Sequence, residues 1–403
     1  VVTYDMGGTS TDVALIRNAQ AAVSNEIEIE YAMPIHVPMV DVHTVGAGGG
    51  SIARVDESGL LRVGPQSAGA TPGPICYGRG GAEPTISDAN LILGRLNAKK
   101  LLAVDNPVDL DTIRAAFAEK LGKRLGLDAV EAAGAVLKIG NIRMAGAIRM
   151  VSIAKGHDPR DFALFAFGGA GPLHASALAR ELGIPKVLVP ARPGITNALG
   201  CVVADLRHDF VNTVNQPVAK LDEEAVRDIF SRQTAEGRQL IEKEAVQPES
   251  VRVAHSADMQ FIGQTHLLNV PLPSADVSRE QIQALFEKAY FARFKVELPE
   301  IRANLVNLNT SVIGVRPALD LSSLIDPAGR AGTLEEALSE TRPVWYGGTW
   351  HDTPVYAREK LPLDAVITGP AVLEQMDATT VIEPGDRATS DADGNIIIEI
   401  GKA

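Results

Sequence analysis

Apolar and polar residues change period along this chain, and each change marks an element. Val1-Val2-Thr3-Tyr4 and Val13-Ala14-Leu15-Ile16 are apolar runs on either side of Asp5-Met6-Gly7-Gly8-Thr9-Ser10-Thr11-Asp12. That pattern predicts strand, tight glycine turn, strand: a β-hairpin. Strand signals return at 27–29 and 37–40, and helical periods at 87–96 and 110–121. The stretch 128–155 predicts a long core helix of Ala, Val, Ile, Met and Gly. Asp128 and Glu131 have capping-box spacing there, and Gly156 fits a helix stop. Residues 162–167 read as an apolar strand that ends in Gly168-Gly169-Ala170-Gly171. A helix follows with Pro172 in its first turn, where no N–H is needed, and ends near Gly183 before a strand at 186–190.

The texture changes after about residue 205. Residues 221–244 are charged and helical in period, and 259–270 alternate like a hairpin around Gly263. Ser278 and Gln281 space a second capping box, opening a helix to about Lys295, and 305–315 alternate like a strand. From about 342 to 400, Val, Ile, Thr, Gly and Pro recur at short spacing. The fold class expected is α/β: a mixed-sheet lobe over 1–205, an α+β region over 206–340 and a small all-β module over 341–403. No fixed-period repeat or low-complexity tract interrupts this order.

Composition narrows the picture. A chain of 403 residues exceeds one small domain, and 45% hydrophobic with 4% aromatic residues suits an aliphatic α/β core. A net charge of −12 argues against binding a nucleic-acid backbone, which needs clustered Lys and Arg. No apolar run reaches membrane-spanning length, and no basic leader precedes an apolar segment, so a cytoplasmic location is expected. Cys76 and Cys201 make no disulfide framework, and no H-E-x-x-H or C-x-x-C supports a local zinc site. Cys76, in a glycine-rich loop, is either a reactive thiol or an idle one.

The candidate chemistry gathers at the glycines. Gly7 and Gly8 let the backbone approach an anion closely, Thr9 and Thr11 add hydroxyls, and Asp5 at the strand end can hold Mg²⁺ through water or orient an attacking water. Asp12 either sits beside the anion, helps bind a monovalent cation, or only caps the hairpin. The 168–171 loop, with Gly168, Gly169 and Gly171, would let a purine and ribose lie flat on backbone. A Walker A loop is absent, and Gly46-Ala47-Gly48-Gly49-Gly50-Ser51 matches the dinucleotide fingerprint only superficially. Asp41 and His43, two apart and so on one strand face, form either an acid–base or metal-binding pair or a structural one. Arg79 clamps an anion or is solvated. Asp88 is read as a helix cap and His174 as packing or hydrogen bonding.

Phosphate hairpin, core helix, then F-G-G-A-G loop: this order resembles the second half of the RNase H-like fold of actin, sugar kinases and heat-shock-chaperone ATPases. Within that superfamily the wording is similar to the hydantoinase A/oxoprolinase family. The matching segments are DMGGTSTDV at 5–13, VHTVGAGGGSIA at 42–53, VGPQSAGATPGPICYGRGG at 63–81, PTISDANLILGRL at 84–96 and FAFGGAGPLHA at 165–175. DMQFIGQ at 258–264, GPAVLEQ at 369–375 and TTVIEPG at 379–385 extend the likeness over nearly the whole chain. The resemblance implies ATP and Mg²⁺ as cofactors. It implies opening of a cyclic amide of hydantoin or 5-oxoproline type by phosphorylation of its carbonyl oxygen. It also implies a B-type partner subunit or domain. Two alternatives stand beside it: a subunit of an ATP-dependent ketone carboxylase, or an inert lobe or assembly module. Family members carry a further N-terminal half with its own D-x-G-G-T-x-T-D hairpin. The expectation is therefore a fragment lacking that half, weak in ATP binding and open to association with a second copy.

Overall fold

The computed structural model describes residues 1–24, 27–29, 33–35, 39–99, 101, 104, 106–264, 267–298, 301–318, 320 and 329–401. The opening hairpin pairs β1 (Val2–Met6) with β2 (Thr11–Arg17), and β3 (Val42–Val45) adds antiparallel to β2. Of the strand expected at 37–40, Val37 and Pro38 lie outside the described residues, while Met39–Val40 are extended. A glycine turn leads to the hairpin of β4 (Ser51–Val55) and β5 (Leu61–Ser67). Helix α1 (Ile86–Ile92) starts at a capping box between Thr85 and Asp88.

Helix α2 (Ala129–Val151) is the long core helix. Asp128 accepts from the amides of Val130 and Glu131, and Glu131 accepts from the Asp128 amide, which satisfies three donors that a helix start leaves free. A 3₁₀ turn, Ile153–Lys155, then stops at Gly156 in the left-handed region. Next, β6 (Ala163–Phe167) runs parallel to β1, α3 (Gly171–Leu182) crosses over, and β7 (Lys186–Val189) lies parallel to β6. Parallel neighbours need such crossovers because a tight turn cannot reverse the chain twice. The side chains of Val2, Tyr4, Met6, Val13 and Leu15 all face α2 and are buried, and the Tyr4 hydroxyl touches Met144 Sδ of that helix at 3.2 Å.

Residues 200–319 form a compact unit of their own. Strands β8 (Leu206–Pro217), β9 (Ser250–Phe261), β10 (Leu268–Leu272) and β11 (Ala303–Val315) make an antiparallel sheet in the order β8-β11-β9-β10. Helices α4 (Glu223–Lys243) and α5 (Arg279–Phe294) supply its cover, the latter capped by Ser278 and Gln281. Phe261, Phe286 and Tyr290 meet there edge to face, with ring centroids 4.7 Å apart for Phe261 and Tyr290.

The last segment does not stand apart as a β module. It joins residues 1–199 in one compact unit. Strands β12 (Leu338–Tyr346), β13 (Thr349–Ala357), β15 (Ala371–Glu374) and β16 (Thr379–Ile382) form a small sheet, with β14 (Val366–Thr368) between them in sequence. Leu173 of α3 is buried with Val344, Val355, Val372 and Val381 of that sheet. Strands β17 (Arg387–Ser390) and β18 (Ile396–Glu399) return to the first sheet, β18 lying antiparallel to β7. The described strands of that sheet run β14-β17-β18-β7-β6-β1-β2, so the N-terminal hairpin and the last strand share one core.

Candidate functional site

The glycine hairpin and the glycine loop lie at one end of the sheet. Asp5, next to the end of β1, pairs with Phe167, the last residue of its parallel neighbour β6, so both strands leave the sheet at the same end. The Ala170 amide donates to Met6 O at 3.0 Å, and a Cβ on Gly168 would overlap the Asp5 carboxylate. Gly168 also has φ +79°, so only glycine fits there without strain. Gly49 N donates to Gly7 O at 3.0 Å and Gly50 N to Gly8 O at 2.6 Å, which straps the 46–50 tract across the hairpin tip. Gly48 has no room for a Cβ against Thr9. Beyond Gly7 and Gly8 themselves the space is open. Among the described residues, the amides of Gly8, Thr9 and Gly169 donate no hydrogen bond.

Asp5 and Asp12 are directly opposite across the hairpin, so their side chains share the face away from α2. Asn197 Nδ2 donates to Asp5 Oδ2 at 2.5 Å, and Thr44 Oγ1 donates to Asp12 Oδ1 at 2.5 Å. Half-burial holds the Asp5 carboxyl above its usual range; the Asn197 hydrogen bond pulls it down and the nearby Asp12 charge pushes it up. Among the described residues, no group of three or more His, Cys, Asp and Glu side chains could hold a metal, so Asp5 and Asp12 are the acidic pair on offer. A pair of carboxylates beside unused backbone donors suits Mg²⁺, which binds through one or two carboxylates with phosphate oxygens and water.

Three expectations are revised by position. His43 pairs with Val13, whose side chain points to α2, so His43 lies on the opposite sheet face from Asp5. Asp41 lies below it and forms an ion pair with Lys155, just past α2. The two therefore do not converge with Asp5. Thr11 is fully buried and its hydroxyl donates to Ala47 O at 2.6 Å, so it braces the glycine tract from beneath instead of facing an anion. Thr9, exposed at the tip, lies 3.3 Å from the Ser67 hydroxyl.

Other candidates are structural. Asp88 is buried and accepts from the amides of Ile75, Cys76 and Thr85 and from the Thr85 hydroxyl. Cys76 is buried, and burial beside Asp88 pushes its thiol far above the usual range, which makes it inert. His174, 1% exposed, is held between Asn141 Oδ1 at 2.8 Å and Asn90 Nδ2 at 3.3 Å, and burial lowers it to about 3. It is a neutral core histidine. Arg79 donates to Ala70 O at 3.3 Å within its own loop.

The structure adds residues that the sequence pattern did not single out. Asn197 reaches Asp5 from the helix Thr196–Val203. Asp377 Oδ2 accepts from Gly194 N at 2.9 Å, and Pro193 O accepts from Gly168 N at 2.9 Å, so Asp377 bears on the glycine loop through the 193–194 turn. Arg358 is buried and donates to Gln375 Oε1 at 2.7 Å and to the carbonyls of Val189, Pro190 and Gly394. Gln375 Nε2 in turn donates to Asp377 Oδ1 at 2.6 Å. The signal for Gln375 was present in the GPAVLEQ segment; Asn197 had none.

A mixed sheet with a glycine hairpin at the ends of its central parallel strands, backed by a long helix, is the actin-like ATPase lobe. The chain belongs to the hydantoinase/oxoprolinase family: that family's description matches residues 1–210, and its C-terminal domain matches residues 216–399. It is 34% identical to caprolactamase subunit alpha of Pseudomonas jessenii, over 97% of this chain and 57% of that protein. It is 32% identical to the acetophenone carboxylase gamma subunit of Aromatoleum aromaticum, over 99% of this chain and 56% of that protein. The crystal structure of the ATP-dependent caprolactamase from Pseudomonas jessenii superposes with a TM-score of 0.82 at 33% identity, covering 100% of this chain and 59% of that one. The chain thus spans a little over half the length of these relatives. No helix among the described residues is long and apolar enough to cross a membrane.

Proposed function

We propose that this chain is the nucleotide-gripping part of an ATP-dependent enzyme that opens a cyclic amide. The observation that carries the reading is the convergence of Asp5, the unused amides of Gly8 and Thr9, and the 168–171 loop at one sheet end. An amide carbonyl is a poor electrophile; transfer of the γ-phosphoryl group of ATP to its oxygen, releasing ADP, makes the carbon electrophilic, water adds there, the ring C–N bond breaks as the nitrogen takes a proton, and a second water hydrolyses the resulting acyl phosphate to carboxylate and inorganic phosphate. The chain's own part is positional. Backbone donors at Gly8 and Thr9 meet phosphate oxygens, and Asp5, with Asp12 beside it, holds Mg²⁺ or its water. Gly169, exposed in the loop, offers backbone for the nucleoside, whereas Gly171 is buried against Tyr4 and Met6 of β1 and lets α3 start close to that strand. Asn197 keeps the Asp5 carboxylate oriented. The names of the relatives support lactam-type substrates and a partner subunit. They equally support ketone carboxylation as the second reading, because the same grip activates either oxygen. We place the protein in the cytoplasm.

The deciding experiment measures ATP turnover by the full-length protein with its partner subunit. Hydantoin and 5-oxoproline should stimulate it; stimulation only by a ketone with bicarbonate would replace the amidase reading with the carboxylase one. Asp5→Asn should reduce stimulated turnover by about 10² or more, the scale of a positioned catalytic group. Wild-type turnover in that variant would remove Asp5 from the chemistry.

A further inference from the structure

Three side chains of the C-terminal segment grip the chain where it leaves β7. Arg358 is buried and donates to the carbonyls of Val189 and Pro190 at 3.1 and 2.6 Å, and to Gln375 Oε1 at 2.7 Å. Gln375 Nε2 donates to Asp377 Oδ1 at 2.6 Å and to Ala191 O at 3.4 Å. Asp377 Oδ2 accepts from the Gly194 amide at 2.9 Å. Gln375 and Asp377 stand in the turn between β15 and β16, which the Gln375 amide closes on Ala378 O at 3.1 Å. Backbone groups at 189, 190, 191 and 194 are thus tied to one short turn and one buried guanidinium.

The gripped segment feeds both halves of the glycine site. Pro193 O accepts from the Gly168 amide at 2.9 Å. The 3₁₀ turn Pro193–Ile195 runs straight into the helix Thr196–Val203, whose Asn197 donates to Asp5. No residue of that helix is buried, so core packing does little to locate it and the turn before it matters more. A Cβ on Gly194 would stand 2.7 Å from Asp377 Cβ, so the turn and Asp377 are in direct contact. Asp377 O lies 3.6 Å from where a Cβ on Gly169 would stand, so the same residue also borders the loop itself.

The chain of bonds has one direction. A guanidinium only donates, so Gln375 must turn its oxygen to Arg358 and its nitrogen to Asp377. Asp377 must then accept at both oxygens, which a carboxylate can do and an amide cannot.

We infer that Asp377 is a positioning residue of the glycine site: by holding the 193–195 turn it fixes Gly168 in its loop and Asn197 against Asp5. The inference rests on the nucleotide reading of that site. Asp377 acts through Gly168 and Asn197, and not on the reacting atoms.

Turnover and amide exchange of the full-length protein with its partner subunit test the role. Asp377→Asn sets two amide nitrogens against each other or withdraws the oxygen from Gly194. At saturating ATP its kcat should fall about tenfold to a hundredfold, the scale for residues that orient the ligands of a site, and KM for ATP should rise. Without nucleotide, hydrogen exchange at 168–169 and 193–197 should quicken about tenfold, the scale of one lost charge-assisted bond, while α2 exchanges as in wild type. Gln375→Glu alone brings two carboxylates together and should lose activity similarly. The two substitutions combined rebuild the chain from Arg358 to Gly194: the new carboxylate accepts from Arg358 and from the new amide, whose oxygen still accepts from the Gly194 N–H. The double variant should recover most of the kcat and of the exchange protection. A merely structural Asp377 would lower the melting temperature of Asp377→Asn and leave its kcat and local exchange at wild-type values. That result, or a double variant no better than Asp377→Asn, would overturn the role. Quickened local exchange with wild-type turnover would instead overturn the nucleotide reading on which the role rests.

Discussion

Asn197 donates to Asp5 at 2.5 Å, joining a residue at the first strand's end to one 192 positions later. The bond works against burial, which raises the Asp5 carboxyl, and so keeps more of it ionised near neutrality. Asn197→Ala should therefore move the acid limb of the ATP-turnover profile to higher pH. An unmoved limb in a folded variant would show that Asn197 only packs.

Asp5 also has a stability signature. Its folded-state carboxyl is raised above the unfolded value of 3.8, so the folded state holds the proton more tightly. That favours folding at low pH and costs stability once the pH rises through the folded value. Asp5→Asn should then melt slightly higher than wild type at pH 7, and the gap should close toward pH 4. Thermal melts across that range check it.

His174 has the opposite sign. Its folded value is about 3, far below an unfolded value of 6.5. The group thus stabilises the fold above pH 6.5 and loses that contribution as acid protonates the unfolded chain. The slope from this residue should approach 1.4 kcal/mol per pH unit between about pH 6 and 4. Urea unfolding of His174→Gln should show a shallower pH dependence than wild type, together with a lower stability at pH 7.

Gly168→Ala should damage the site directly. The new Cβ meets the Asp5 carboxylate and strains a left-handed backbone, which alone costs about 1–3 kcal/mol. A lowered melting temperature together with lost Asp5-dependent turnover is expected. Gly7→Ala meets nothing within 4 Å and should melt like wild type, providing the control.

Asp88→Asn should destabilise the fold without touching the glycine site. An amide has one acceptor oxygen where the carboxylate uses two to take four donors. Each buried donor left over costs about 1–3 kcal/mol, measurable by denaturant unfolding.

Local pattern carried much of this architecture. The Gly7-Gly8 hairpin, the α2 cap at Asp128 and the Ser278 cap each depend on residues within a few positions, so spacing alone revealed them. The face of His43 was not legible, because it depends on which residue of β2 stands opposite, and a slip of one residue would reverse it. Strand β18 was read as part of a separate module for a similar reason: its alternation fits any half-covered sheet, and nothing local names β7 as its neighbour. The glycine tract at 46–50 was visible, but its role as a strap on the hairpin arises only from pairing with Gly7 and Gly8.

The return of β18 to the edge of β7 also imposes an order on biosynthesis. The ribosome delivers β7 long before its partner, and residues 200–319 emerge in between. Throughout that interval β7 has an unpaired backbone edge, the kind that recruits other chains. The sheet can close at this edge only after β18 has emerged, so the nascent chain passes through a stage at which the β7 edge is open to pairing with other chains.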